Sequence, residues 1–153
     1  MAFVFRLERV LAVRRIEEDG ARQRHAAAKE QLRAACATRD EGQRRLHLSL
    51  CRLDDLKRND ELSEEALYLH SLHVAGLRRQ IEAARSDVAA AEQETERTAT
   101  ELFEAHQARE ALERLREREE QSWRKAQATR EAKEIDEIAV QRSRVRQEEN
   151  HGP

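Results

Sequence analysis

Aromatic residues make up only 3% of this 153-residue chain, and proline occurs once, as Pro153. With four glycines beside them, such a mix cannot wrap a multilayered core, so an ordinary globular domain is excluded despite a length that would allow one. No stretch of about 18 apolar residues exists to span a bilayer. Arg6, Glu8 and Arg9 interrupt the N-terminal apolar run, which leaves no signal-peptide core. Charge of one sign is also missing: 29 basic and 31 acidic residues are interspersed, for a net −2. No large positive field is available to draw in nucleic acid or an acidic membrane, so neither nucleic-acid binding nor direct membrane insertion is expected. Doublets such as Arg14-Arg15, Arg44-Arg45 and Arg78-Arg79 read as solvated helix faces paired with acids three or four residues away. Cys36 and Cys51 stand roughly 22 Å apart along a single helix, too far to bridge each other within it. Two free thiols fit a reducing compartment, and the expected location is cytoplasmic.

What the chain does have is charge at 39% and a period. From Leu67, steps of three and four residues read Leu67, His70, Val74, Leu77, Ile81, Ala84, Val88, Ala91, Thr95, Thr98, Leu102, Ala105, Arg109 and Leu112. Most of these positions are apolar, and the residues between them are mostly charged, Gln, Ala or Thr. A seam this narrow faces another helix, not a globular core. The same spacing from Val4 reads Val4, Leu7, Leu11, Arg14, Glu18, Ala21, His25, Ala28, Leu32, Ala35, Arg39, Gly42, Leu46, Ser49, Leu53 and Leu56. Arg14, Glu18 and Arg39 break this second run while Val10, Ile16 and Leu50 lie beside it, so its seam is expected to drift around the helix. Gly20, Gly42 and Gly76 each cost about 1 kcal/mol against Ala in a helix, with close helix contact or a local bend as the return.

Between the tracks, Lys57 to Glu65 is the candidate reversal. Asn59 and Asp60 tolerate turn conformations, Ser63 can cap the next helix, and Glu64 and Glu65 suit its positive end. The expected fold is all-α: a single coiled-coil domain over 1–153, an elongated antiparallel hairpin with helix one about 4–57, a turn about 58–63 and a longer helix two about 64–148. At 1.5 Å per residue the helices measure roughly 80 and 125 Å. Pairing outward from residue 61 brings Phe3 and Phe5 near Leu115 to Trp123, where aromatics can staple the chain end. Helix two then overhangs, with a short apolar stripe of Ile135, Ile138, Ala139 and Val145 left uncovered, before His151-Gly152-Pro153 closes the helix.

No strand pattern, phosphate loop, Cys-x-x-Cys pair or Gly-x-Ser-x-Gly elbow occurs, so no enzyme and no cofactor are expected. His70 and His73, with His47 across the hairpin, form the only constellation to weigh as a metal site. Two such His lack the four ligands a structural zinc needs, and no metal is assigned.

Both ends of the chain carry a resemblance. Phe3-Val4-Phe5-Arg6-Leu7-Glu8-Arg9-Val10-Leu11, followed by Arg14, resembles the start of the flagellar export protein FliJ family, commonly Phe-x-Phe-x-Leu-x-x-Val-Leu. Glu131-Ala132-Lys133-Glu134-Ile135-Asp136-Glu137-Ile138-Ala139, with Arg142, resembles that family's Glu-Gln-Lys-x-x-Asp-Glu-x-Ala segment, with Ala132 in place of Gln. The stretch Leu46 to Leu53 lacks the tyrosines often found before the family's turn.

The resemblance implies a cytoplasmic stalk of the type III flagellar export apparatus, peripheral to the inner membrane and monomeric. Its implied partners are the hexameric export ATPase, the cytoplasmic domain of the export gate and substrate chaperones. On that reading the ATPase end is carried by Phe3, Phe5, Leu7, Trp123, Ile135, Asp136, Glu137 and Ile138, and the gate end by Leu46, Leu50, Leu53, His73 and Leu77. The stalk protein of a virulence type III secretion system and a homodimeric coiled-coil scaffold are the alternative expectations.

Overall fold

The computed structural model describes residues 2–149, without the side chains of Val145 and residues 147–149. The closing His151-Gly152-Pro153 and the Val145 side chain of the C-terminal stripe lie outside what is described. Two helices account for nearly all of the rest: α1, Glu8–Arg58, and α2, Glu64–Glu149. They pack against each other as a helical hairpin with the C-terminal helix the longer. Acidic residues open each helix, Glu8 in α1 and Glu64 and Glu65 in α2, and Lys57 and Arg58 close α1. Both placements complement the helix macrodipole.

The reversal is built from backbone hydrogen bonds. The Glu61 amide donates to the Leu56 carbonyl at 3.3 Å and the Asp60 amide to the Lys57 carbonyl at 3.4 Å. These are the two bonds of a Schellman motif, and Asp60 supplies its left-handed residue with φ 55°. Asp tolerates that conformation better than most residues because its short polar side chain bonds locally, so no glycine is required here. Three residues on, Ser63 Oγ accepts from the Ala66 amide at 3.1 Å while the Ser63 carbonyl accepts from Leu67 at 3.0 Å. Ser63 is therefore the N-cap of α2.

The described chain falls into two compact units. In the first, Ile16–His106, partners step outward from the turn in register. His70 Nε2 reaches the Ser49 carbonyl at 2.9 Å, Thr95 Oγ1 the Ala28 carbonyl at 3.4 Å, and His25 Nδ1 the Thr98 hydroxyl at 3.2 Å. Ala21, Ala28, Val74, Leu77, Ile81, Ala84 and Val88 are buried in this unit. Small residues dominate because the helices approach closely: a Cβ built on Gly42 would stand 3.1 Å from Ile81 Cγ1.

Drift of the α1 seam is not observed in this unit. Every three-four position from Glu18 to Leu56 is buried or half-buried, while Ile16, beside the track, is 72% exposed. The register survives its polar positions because their side chains find partners within the hairpin. Glu18, only 4% exposed, accepts from Arg22 at 3.1 Å and lies 3.2 Å from His106 Nδ1. Thr98, 2% exposed, has one hydroxyl proton, which bonds the Glu94 carbonyl at 2.9 Å; its oxygen is then the acceptor for His25 Nδ1–H.

The second unit joins Met1–Arg15 with Gln107–Pro153, as far as these are described. Here α1 starts at Glu8, four residues later than the seam spacing predicts. Residues 2–5 carry no helix, and exposure alternates along them: Phe3 half-buried, Val4 84% exposed, Phe5 5% exposed. That is the two-residue period of an extended chain, and it buries both rings on one side, which a helix could not do for residues two apart. The Glu8 amide caps back onto the Phe5 carbonyl at 3.2 Å. Leu11 is fully buried, and ion pairs flank it: Arg15 with Glu113 at 3.1 Å, and Arg116 Nε facing Glu8 at 3.4 Å without hydrogen-bond alignment.

The turn and the seam can be tested by four substitutions. Ser63→Ala should lower stability by about 1 kcal/mol, whereas Asp60→Gly should raise it by relieving the left-handed residue; urea unfolding followed by circular dichroism reads both. Leu11→Ala should cost about 2–5 kcal/mol. Glu18→Leu should cost nothing or stabilise by about 1 kcal/mol, because half-exposed His106 and Arg22 can rehydrate once the buried carboxylate is gone.

Candidate functional site

The residues that point outward without a partner are where function has to be sought, and each unit has its own. In Ile16–His106 the turn end carries exposed Leu48, Leu67, Tyr68, Leu69 and Leu72. Two separate grooves lie between the helices there. One, of about 810 Å³, has a floor of Leu48, Leu56, Leu62, Leu69 and Leu77 and a rim that includes Arg45, Arg52 and His73. The other, of about 470 Å³, is lined by Leu46, Leu50, Ile81 and the stems of Arg78 and Arg85, with His47 and Glu82.

The five residues expected at the gate end are therefore not one surface. Leu46 and Leu50 belong to the smaller groove, His73 and Leu77 to the larger, and Leu53 is half-buried and lines neither. The larger groove follows a second three-four track that begins in the turn at Leu62 and continues on α2 through Ala66, Leu69, His73, Gly76 and Gln80. It runs one residue ahead of the seam, and that offset was the signal in the sequence for Leu69 and its neighbours.

His70 bonds the Ser49 carbonyl, which can only accept, so its Nε2 carries the proton and is unavailable as a ligand. His47 Nε2 stands 3.7 Å from Cys51 Sγ. Among the described residues no three or more His, Cys, Asp or Glu side chains gather closely enough to hold a metal ion.

In the second unit, the residues expected at the ATPase end divide into two groups. Phe3 and Trp123 meet with ring centroids 6.2 Å apart at 52°, an aromatic contact of ordinary geometry. Phe5 is buried and Leu7 half-buried beside them. Ile135 and Ile138 are exposed, as are Asp136 and Glu137 between them. Every residue from 128 to 144 is exposed, so none of the described residues covers this stretch of α2. Val140, also exposed, was not singled out by the three-four spacing because it lies off the Ile135 and Ile138 line.

Against models of known protein families, residues 3–148 match the one described as Flagellar FliJ protein. The chain belongs to the FliJ family. The match takes in both terminal motifs and everything between them. Comparison with the curated proteins and with the solved structures returns no match. At the level of the family, FliJ is a non-catalytic stalk-type component of flagellar protein export, and it interacts with other parts of the export apparatus. In this FliJ chain, no helix among the described residues is long and apolar enough to cross a membrane.

One electrostatic feature of this FliJ adjoins the larger groove. Glu41 accepts from Arg44 at 2.8 Å and from Arg45 at 2.9 Å, and these two bonds, Arg44 first, hold its carboxyl down at about 2 from an ordinary 4.5. A depressed carboxyl stabilises the fold above the ordinary carboxylate range, and that contribution disappears as pH falls through about 2. A carboxyl-detected NMR titration should therefore find the Glu41 midpoint well below the ordinary carboxylate range, and Arg44→Gln should move it upward.

Proposed function

We propose that this FliJ protein acts as a monomeric stalk of the flagellar type III export apparatus, peripheral to the inner membrane on its cytoplasmic side. One end binds the hexameric export ATPase, through the Phe3, Phe5, Leu7 and Trp123 cluster and the Ile135, Asp136, Glu137 and Ile138 stretch. The turn end, with Leu46, Leu50, Leu53, His73 and Leu77, contacts the cytoplasmic domain of the export gate. Substrate chaperones are escorted by the same surfaces.

The observation that carries this reading is the unbroken exposure of residues 128–144 on a helix that still bears an apolar stripe. A helix with exposed Ile at a three-residue step is stabilised by a partner's apolar groove. The aromatic contact at Phe3 and Trp123 has the complementary role of fixing the chain end beside α2, so that the stretch beyond is presented from an ordered base.

A pull-down with the export ATPase tests the proposal. The full chain should bind, and a chain ending at Trp123 should bind about tenfold more weakly or not at all. The double substitution Ile135→Asp and Ile138→Asp, on an exposed face where folding is not at stake, should reproduce the loss. If both variants bind as well as the full chain, the C-terminal stretch is not the ATPase contact. Light scattering should give the mass of one chain.

A further inference from the structure

The larger groove at the turn end has the form of an unfinished helix bundle. Its leucines come from both helices and the turn: Leu48 and Leu56 from α1, Leu62 from the turn, Leu69 and Leu77 from α2. The α2 wall keeps a three-four spacing from Ala66 to Gln80, about 21 Å at 1.5 Å per residue. A wall with this repeat matches a third helix lying along it, whose own three-four side chains fit between its knobs.

The rim has a sign. Arg45, Arg52 and His73 stand on it, and among the described residues that line the groove there is no Asp or Glu. Arg45 is held by Glu41 from outside the groove, whereas Arg52 makes no ion pair or hydrogen bond among the described residues. An occupant with carboxylates flanking its apolar stripe would complete this rim, and one flanked by lysines would be repelled.

Gly76 is a second and independent mark. It costs the helix about 1 kcal/mol relative to Ala. Gly42 has a reason for its missing side chain in Ile81 at 3.1 Å, but a Cβ on Gly76 would meet nothing within 4 Å. Nothing inside the hairpin requires a glycine there. The open space lies in the groove wall, where it admits close approach of another chain.

We propose that this groove is the docking site for an acidic, amphipathic α-helix of a partner protein, which lies along the Leu62 to Gln80 track with its carboxylates towards Arg45 and Arg52. The inference deepens, and rests on, the turn-end part of the proposed function, with which it shares His73 and Leu77.

The test uses the full chain and two synthetic probes of about 18 residues, both with leucine at the seam positions, one flanked by glutamate and the other by lysine. Fluorescence anisotropy should show the glutamate peptide binding about tenfold or more tightly than the lysine peptide, with the preference shrinking as salt rises. Arg45→Glu with Arg52→Glu should invert that preference. Gly76→Ala should stabilise the helix, and Gly76→Trp should leave helicity unchanged while abolishing peptide binding.

Equal binding of the two peptides, absence of binding, or binding that survives Gly76→Trp overturns the proposal. So does sedimentation showing that the chain self-associates through the groove, with Gly76→Trp returning it to a monomer, since a second copy would then be the occupant. The assay contains no export component, so its failure leaves ATPase and gate binding to be judged separately.

Discussion

Everything in the Ile16–His106 hairpin depends on a close approach of two backbones along a seam of small side chains. Ala21, Ala28, Ala84 and Val88 bury little area each, so the seam gains stability by density of contact and not by large rings. The approach dictates what else can occupy the interface. At Gly42 an added Cβ would stand 3.1 Å from Ile81 Cγ1, a tight approach that Ile81 would have to yield to. Polar groups in it have partners within the hairpin: Thr98 the Glu94 carbonyl and His25, Thr95 the Ala91 carbonyl, His70 the Ser49 carbonyl. Such layers add less energy than an aliphatic pair but hold one alignment of the helices against slippage.

The surfaces proposed for partners lie where that constraint relaxes. Towards the turn the seam positions become half-buried and leucines face outward, which opens grooves instead of closing a core. In the other unit, α2 runs on through residues 128–144, all of them exposed among the described residues. The chain belongs to the FliJ family, a family of export components. The contacts proposed for it fall on those apolar faces that folding leaves unsatisfied.

The helices, the reversal and the cap at Ser63 were legible in the sequence because each is a local matter: a period, a polar turn, an oxygen three residues before an amide. The extended start was not. Val4 fits the three-four spacing as well as Phe3 and Phe5 fit a spacing of two, and only the burial of both rings decides between them. The register through Glu18 also resisted reading, since a buried carboxylate looks like a broken seam until His106 is seen across from it, 88 residues away. Gly42 and Gly76 are indistinguishable in a string of letters, yet one lies close against Ile81 and the other borders open space. The split of the turn-end leucines into two grooves belongs to the same class, because periodicity identifies a face but not the space beside it.

The left-handed turn at Asp60 also sets an order of assembly. Ser49 and His70 are 21 residues apart in the chain, whereas His25 and Thr98 are 73 apart. Joining distant residues first would close a long loop at a larger entropic cost, while each layer added next to one already formed closes almost none. The hairpin therefore zips from the reversal outward, and the alignment chosen by two backbone hydrogen bonds at Glu61 and Asp60 is inherited by each successive layer.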